Sequence, residues 1–293
     1  MADYYDIVFI GHVCFDEIQP TQGEVKIAPG GAVLWGAITV GRMGKLTAAV
    51  VRLSPQDENL LDPLTSALVD VYAVPALETS YSRIVHLSSD PDERMFTLVR
   101  NAGMFSLVEI PKLVTHWMVL AGISDQEFPP DLLESLLKRG HRVAYDWQSS
   151  VRQVDLITGE ISMGDVASKR EIASQIACSK LDINEALVLT GTDDPLKAAK
   201  VIAAWGCPEG IITWADGILA WANGEYFQEA LTNHSQAGRT GRGDTAFGAY
   251  LARRLDHDPE DALRFAAVLT SMKLEKPYPF SGTLDAVLER MGG

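Results

Sequence analysis

Basic residues are in short supply in this chain. Only 25 Lys and Arg stand against 39 Asp and Glu, a formal net charge of −14 over 293 residues. Nucleic-acid binders usually carry a basic face that releases counterions, so nucleic acid is excluded as a main partner. Cysteine is scarcer still: Cys14, Cys178 and Cys207 are too few and too scattered for a disulfide framework, and no Cys/His cluster has zinc spacing. Long apolar runs are missing as well. The opening MADYYDIVFIGHV is too short in its apolar part to span a bilayer, carries acids where a signal peptide carries bases, and has no clear small-residue cleavage site. No membrane partner is expected, and the cytoplasm is the expected location. No Gly-x-x-x-x-Gly-Lys-Ser/Thr occurs, which excludes a Walker-type phosphate loop.

What is present is an ordinary globular balance, 47% hydrophobic and 22% charged, with length for one large domain or two small ones. Residues 6–11 (DIVFIG) form a continuous apolar run ending in glycine, the pattern of a strand buried on both faces. Two short strands at 13–19 and 24–28, parted by the turn-rich 20–23, read as a hairpin, and Gly30 and Gly31 then open a helix over 32–43. A second hairpin is expected within 81–99, turning at 90–93. Strands at 47–53, 117–121, 142–145 and 210–213 alternate instead with helical stretches. A strand pair at 218–222 and 226–229 leads to helices over about 244–255, 259–273 and 283–290. The fold class is therefore α/β: a doubly wound, mostly parallel central sheet flanked by helices, with a small β-sheet lid built from the hairpins. The expected core comprises 1–12, 30–79 and 104–293, and the lid 13–29 and 80–103.

The stretch 238–247, GRTGRGDTAF, concentrates the chemistry. Arg242-Gly-Asp244 is either a chance tripeptide, part of a dinucleotide turn, or an anion loop with a carboxylate for proton chemistry. The dinucleotide pattern needs an apolar strand just before it, and 233–237 (NHSQA) is none. Gly241, Arg242 and Gly243 can bring backbone N–H groups to an anion at a helix start, where the dipole adds to them. Asp244 is then either a helix cap or the base that takes a proton from an attacking hydroxyl.

Residues 240–247 resemble the Thr-Gly-Ala-Gly-Asp-x-Phe signature of the ribokinase-like (PfkB) carbohydrate kinases. Residues 11–16 (GHVCFD) are similar to that family's first-strand motif, and 29–37 (PGGAVLWGA) to its sugar-contacting double glycine and helix. The resemblance spans nearly the whole chain. It implies that Asp244 is the catalytic base, that the amides of Gly241, Arg242 and Gly243 stabilise the transferring phosphoryl group, and that Asp16, Gly30 and Gly31 bind substrate. Asp182 and Glu185 fall on the family's Asn-x-x-Glu and would organise Mg²⁺ through water. Thr213, Ala215 and Gly217, with Thr240, fall on the nucleotide side, although that motif is one residue short and Ala215 replaces a glycine. Gln148 and Arg152, in a stretch similar to an acceptor-facing loop, are further substrate-binding candidates. Trp35 stands where many members have a substrate-contacting Asn, and Gly238 where Asp is common.

Together with residues 89–94 (SDPDER), the pattern is most similar to a bacterial myo-inositol-kinase-like branch. The implied reaction is transfer of the ATP γ-phosphoryl group to a hydroxyl of a sugar or polyol, a cyclitol such as myo-inositol being the closest fit, with ATP and Mg²⁺ as cofactors. A homodimer through the lid is a further expectation. The rival reading is a non-catalytic polyol or nucleotide sensor on the same fold.

Overall fold

The apolar run near the N-terminus becomes the centre of a sheet. The computed structural model describes residues 3–88, 94–235 and 237–292. Strand β1 (Tyr4–His12) leads into β2 (Cys14–Gln19), β3 (Lys26–Gly30) and helix α1 (Ala32–Arg42). Strand β4 (Thr47–Leu53), helix α2 (Asp62–Ser66) and β5 (Val69–Pro75) precede β6 (Ser80–His86) and β7 (Arg94–Arg100). Then come β8 (Val114–Leu120), α3 (Leu132–Lys138), β9 (Val143–Asp146), α4 (Gln148–Val151), β10 (Arg152–Val154), β11 (Ile161–Met163) and α5 (Lys169–Gln175). The chain continues through β12 (Cys178–Asp182), α6 (Ile183–Thr190), α7 (Pro195–Ala204), β13 (Glu209–Trp214), β14 (Gly217–Ala222) and β15 (Glu225–Ala230). Helices α8 (Arg242–Arg254), α9 (Pro259–Leu274) and α10 (Leu284–Gly292) complete it. The turn expected at 90–93 and most of the 89–94 motif lie outside the described residues.

Among the described residues a nine-stranded sheet has the order β15-β14-β13-β12-β9-β8-β1-β4-β5, parallel from β13 to β5 and antiparallel at the β14 and β15 edge. Alternation along β1 sends Ile7 and Phe9 into one apolar layer, with α1, α8 and α9, and Val8 and Ile10 into the other, with α3, α6 and α7. All four are at most 1% exposed. A separate four-stranded sheet, β3-β2-β6-β7, pairs the two hairpins through parallel β2 and β6. No described helix is long and apolar enough to cross a membrane.

Five elements differ from the reading of the sequence. β5, β12 and the small β10–β11 pair were not read as strands, and residues 145–152, expected as a loop, close into the single helical turn α4 before β10.

The C-terminal ends of β1, β9, β12 and β13 meet at one edge of the main sheet, where doubly wound folds gather ligands. Helix α8 is brought to that edge by close packing on α1: a side-chain atom at Gly248 would strike the Gly36 backbone, so two glycines let the helices touch. His12, at the end of β1, joins the two sheets. Its Nε2 pairs with Gly103 O (2.9 Å) and its Nδ1 with Ser80 Oγ (2.9 Å), the latter on β6. Burial pushes the His12 pKa down to about 3, so the ring is neutral and serves as a structural joint.

Candidate active site

Gly241 caps α8 in the left-handed conformation (φ 75°), and no side chain caps that end. Glycine is required here twice over, by the positive φ and because a β-carbon would run into the Trp35 ring. A helix start without a side-chain cap leaves first-turn N–H groups for a ligand. The Arg242 amide donates to Arg239 O (3.2 Å).

Asp244 lies in the first turn of α8, its side chain 14% exposed. Its charged neighbour is Lys180, whose Nζ stands 3.4 Å from Asp244 Oδ1 and 3.0 and 3.1 Å from the two Asp146 oxygens. Lys180 is 2% exposed. Burial opposes its charge, but the carboxylates of Asp146, Glu185, Asp244 and Asp182 outweigh that and hold its pKa above the ordinary value. Asp146 is raised to about 6, by burial first, with Lys180 pulling it back, so the pair is ionised at neutral pH. A fixed ammonium beside the candidate base can neutralise charge developing on a phosphoryl group.

Asp182 and Glu185 are engaged with each other. Glu185 N–H donates to Asp182 Oδ1 (2.8 Å) and Asp182 N–H to Glu185 Oε2 (2.7 Å), a reciprocal capping box at the start of α6. Asp182 still lines the cavity, whereas Glu185 is fully buried behind it with Oε1 unpartnered and its pKa raised to about 8, by burial and then by Asp182. Among the described residues no group of three or more His, Cys, Asp or Glu is placed to hold a metal.

A cavity of about 380 Å³ joins these groups to the small sheet. At its far end Asp16, on β2, is 8% exposed and accepts from the Cys14 thiol at 3.3 Å. Its pKa is raised to about 6 by burial, against the pull of the Cys14 hydrogen bond, Arg152 and Arg94. Gly30, paired across the strand from Cys14, is small because the Asp16 carboxylate occupies the space above it. Arg152 packs over the Phe96 ring at 5.4 Å, and both face the cavity. Gln148 reaches in from α4 while donating to Gly122 O (2.9 Å).

Of the residues expected from sequence, Asp16, Gly31, Gln148, Arg152, Asp182, Thr213, Ala215 and the run 240–244 surround this one cavity. Gly30, Gly217 and Glu185 do not line it. Gly217 is buried, and a β-carbon there would run into the Trp214 ring. Thr213 is fully buried and its Oγ1 has no partner, leaving a hydroxyl for a ligand. Sequence reading missed Lys180, Asp146, Arg94 and Arg239. The available signal was Lys180 itself, a cation inside a short strand between buried Ser179 and Leu181.

No family model matches the chain. A curated cytidine kinase of Thermococcus kodakarensis is 24% identical over 254 residues, 84% of this chain and 87% of that protein. A pyrophosphate-dependent kinase of the ribokinase family, solved in a sulfate complex, superimposes with a TM-score of 0.89 at 29% identity, covering 97% of this chain and 99% of its own. This chain is similar in fold and sequence to kinases of the ribokinase family. A second structure of such a pyrophosphate-dependent kinase, complexed with a pyrophosphate analog and myo-inositol, gives 0.88 at 27% identity over 97% and 99% of the two chains. Ribokinase of Arabidopsis thaliana, complexed with ribose and ATP, shares the fold at 0.77 and 18% identity. The α/β core and small sheet are thus those of the ribokinase fold.

Proposed function

We propose that this ribokinase-like kinase phosphorylates a hydroxyl of a cyclitol, myo-inositol being the first acceptor to try, with Asp244 as general base. The observation that carries the reading is the position of Asp244: a carboxylate at the bare N-terminus of α8, inside one cavity with Asp16 at one end and Lys180 and the Gly241 and Gly243 amides at the other. The acceptor hydroxyl gives its proton to Asp244 as its oxygen attacks the terminal phosphorus of the donor. The bridging P–O bond breaks, and the leaving phosphate departs with its electron pair. Asp16 takes acceptor hydroxyls, aided by Arg152 and Gln148. The small sheet serves as the lid that keeps water from the donor.

The donor we assign is pyrophosphate, in place of the ATP expected from sequence. Five basic side chains, Arg94, Arg152, Lys180, Arg239 and Arg242, surround the cavity against the acids Asp16, Asp182 and Asp244. That concentration of cations in a chain of net charge −14 suits a compact anion. On the donor side the cavity is lined by Thr213 and Ala215 but not by Gly217. The pyrophosphate-dependent relatives at 27–29% identity support the same choice. Asp182 fits Mg²⁺ carried largely by water and donor oxygens, since its cap bond uses Oδ1 only; the ion would neutralise phosphate charge.

The test is incubation with myo-inositol and other polyols, with pyrophosphate or ATP in parallel, and phosphorus NMR of the products. Acceptor-dependent phosphate ester from pyrophosphate is the expected result. Product from ATP alone overturns the donor assignment, and no product with any pair favours the sensor.

A further inference from the structure

Lys273 is a buried cation that the reaction scheme leaves unused. It projects from α9, is 1% exposed, and its Nζ donates to the carbonyls of Gly238 and Thr240. The same ammonium lies 4.5 Å from the centroid of the Trp35 ring, which is itself pressed against Gly241. Both the two carbonyl acceptors and the aromatic face favour the protonated form, although burial draws its pKa down to about 7 with Asp244 opposing. The loop is tied to α9 a third time where Gly238 N–H donates to Leu274 O at 2.8 Å.

The Thr240 carbonyl and the Gly241 N–H belong to one peptide unit. In a trans peptide these two groups point in opposite directions, and no cis bond occurs among the described residues. Holding the Thr240 oxygen down onto Lys273 therefore turns the Gly241 N–H away from α9, and Gly241 lines the cavity. We propose that Lys273 is a positioning residue: gripping the Thr240 carbonyl, with Trp35 as backstop, it aims the Gly241 amide at the donor phosphate. The inference rests on the phosphoryl-transfer reading above. It also gives Trp35, which departs from the family pattern, a place beneath the anion loop rather than at the acceptor.

The experiment compares wild type, Lys273→Met and Lys273→Arg by kcat and KM for each substrate, by calorimetric titration with pyrophosphate and by thermal denaturation. Loss of one oriented donor typically costs 10²–10³ in rate; because the amide remains and only its aim is lost, roughly tenfold to a hundredfold in kcat/KM for the donor is expected for Lys273→Met. Acceptor KM should stay unchanged, and Lys273→Arg should keep most of the activity. Ammonium chloride, entering the vacated carbonyl site, should restore part of the Lys273→Met rate where tetramethylammonium chloride does not. Wild-type donor kcat/KM and pyrophosphate affinity in a folded Lys273→Met overturn the inference while leaving phosphoryl transfer standing. A loss of thermal stability with neither a donor-specific defect nor ammonium rescue overturns it too, as a purely structural lysine. If wild type binds pyrophosphate without transferring it, weakened binding in Lys273→Met supports the positioning role and the reaction falls; a wild type that does neither overturns both.

Discussion

Helices α6 and α8 both start at the same edge of the sheet, and each puts an aspartate from its first residues at the same cavity, yet the two starts are wired differently. At α6 one carboxylate oxygen goes to the backbone: Asp182 Oδ1 caps the helix, Glu185 returns the bond, and two orphan N–H groups are satisfied. At α8 the cap is a left-handed glycine with no side-chain bond, so Asp244 owes nothing to the helix end and has Lys180 as its charged neighbour. An aspartate that caps is anchored, and one relieved of capping by glycine is available for proton transfer. The difference lies in the cap: Asp182 is itself the cap of α6, whereas Gly241 caps α8 and leaves Asp244, three residues on, without that bond.

The strongest way to break this comparison is Asp244→Asn. General-base removal costs typically 10²–10⁴ in rate, so kcat should fall by that order while calorimetry finds pyrophosphate affinity largely kept. Next comes Gly241→Ala, which forces a β-carbon into the Trp35 ring and a non-glycine residue into positive φ. We expect at least about 1 kcal/mol of lost stability in urea unfolding and a rise in donor KM larger than any in acceptor KM. Asp182→Ala should show the opposite profile: about 0.5–2 kcal/mol of helix-cap stability lost, with a smaller loss of kcat than Asp244→Asn. A larger catalytic loss in Asp182→Ala would reverse the assigned roles.

Glu185→Gln should have the smallest effect at neutral pH, because Glu185 is held mostly protonated there, its pKa raised to about 8. The sign follows from linkage. A carboxyl whose pKa is raised on folding contributes stability that is full below its unfolded value near 4.5 and is lost as pH rises through about 8. Wild type should therefore lose thermal stability relative to Glu185→Gln between about pH 4.5 and 8, and parallel curves would show a carboxyl whose pKa is not raised by folding.

Much of this architecture was legible in the chain, for physical reasons. DIVFIG could only be a doubly buried strand, the hairpins announced themselves by turn residues, and Gly241-Arg-Gly-Asp244 placed a flexible anion loop directly before an apolar helix. What escaped were elements whose pattern is interrupted by the site itself. β12 was hidden because Lys180 and Asp182 break its apolar run, and β5 because, at the sheet edge, it mixes buried and exposed positions. Lys273 was not singled out in the sequence, although Leu269, Thr270 and Leu274 beside it are all buried. Gly217, matched to a nucleotide motif, packs against the Trp214 ring, which the sequence alone does not show. The capping box was present in the spacing of Asp182 and Glu185, but whether its carboxylates face helix or ligand is decided by rotamers.

The central claim, that Asp244 supplies the base and Asp182 the cap, is tested most directly by single-turnover phosphorylation of myo-inositol with saturating pyrophosphate in Asp244→Asn and Asp182→Asn, read by phosphorus NMR. The account predicts that the chemical step is slowed by about two to four orders of magnitude in Asp244→Asn and far less in Asp182→Asn. A near-wild-type chemical step in Asp244→Asn would contradict it.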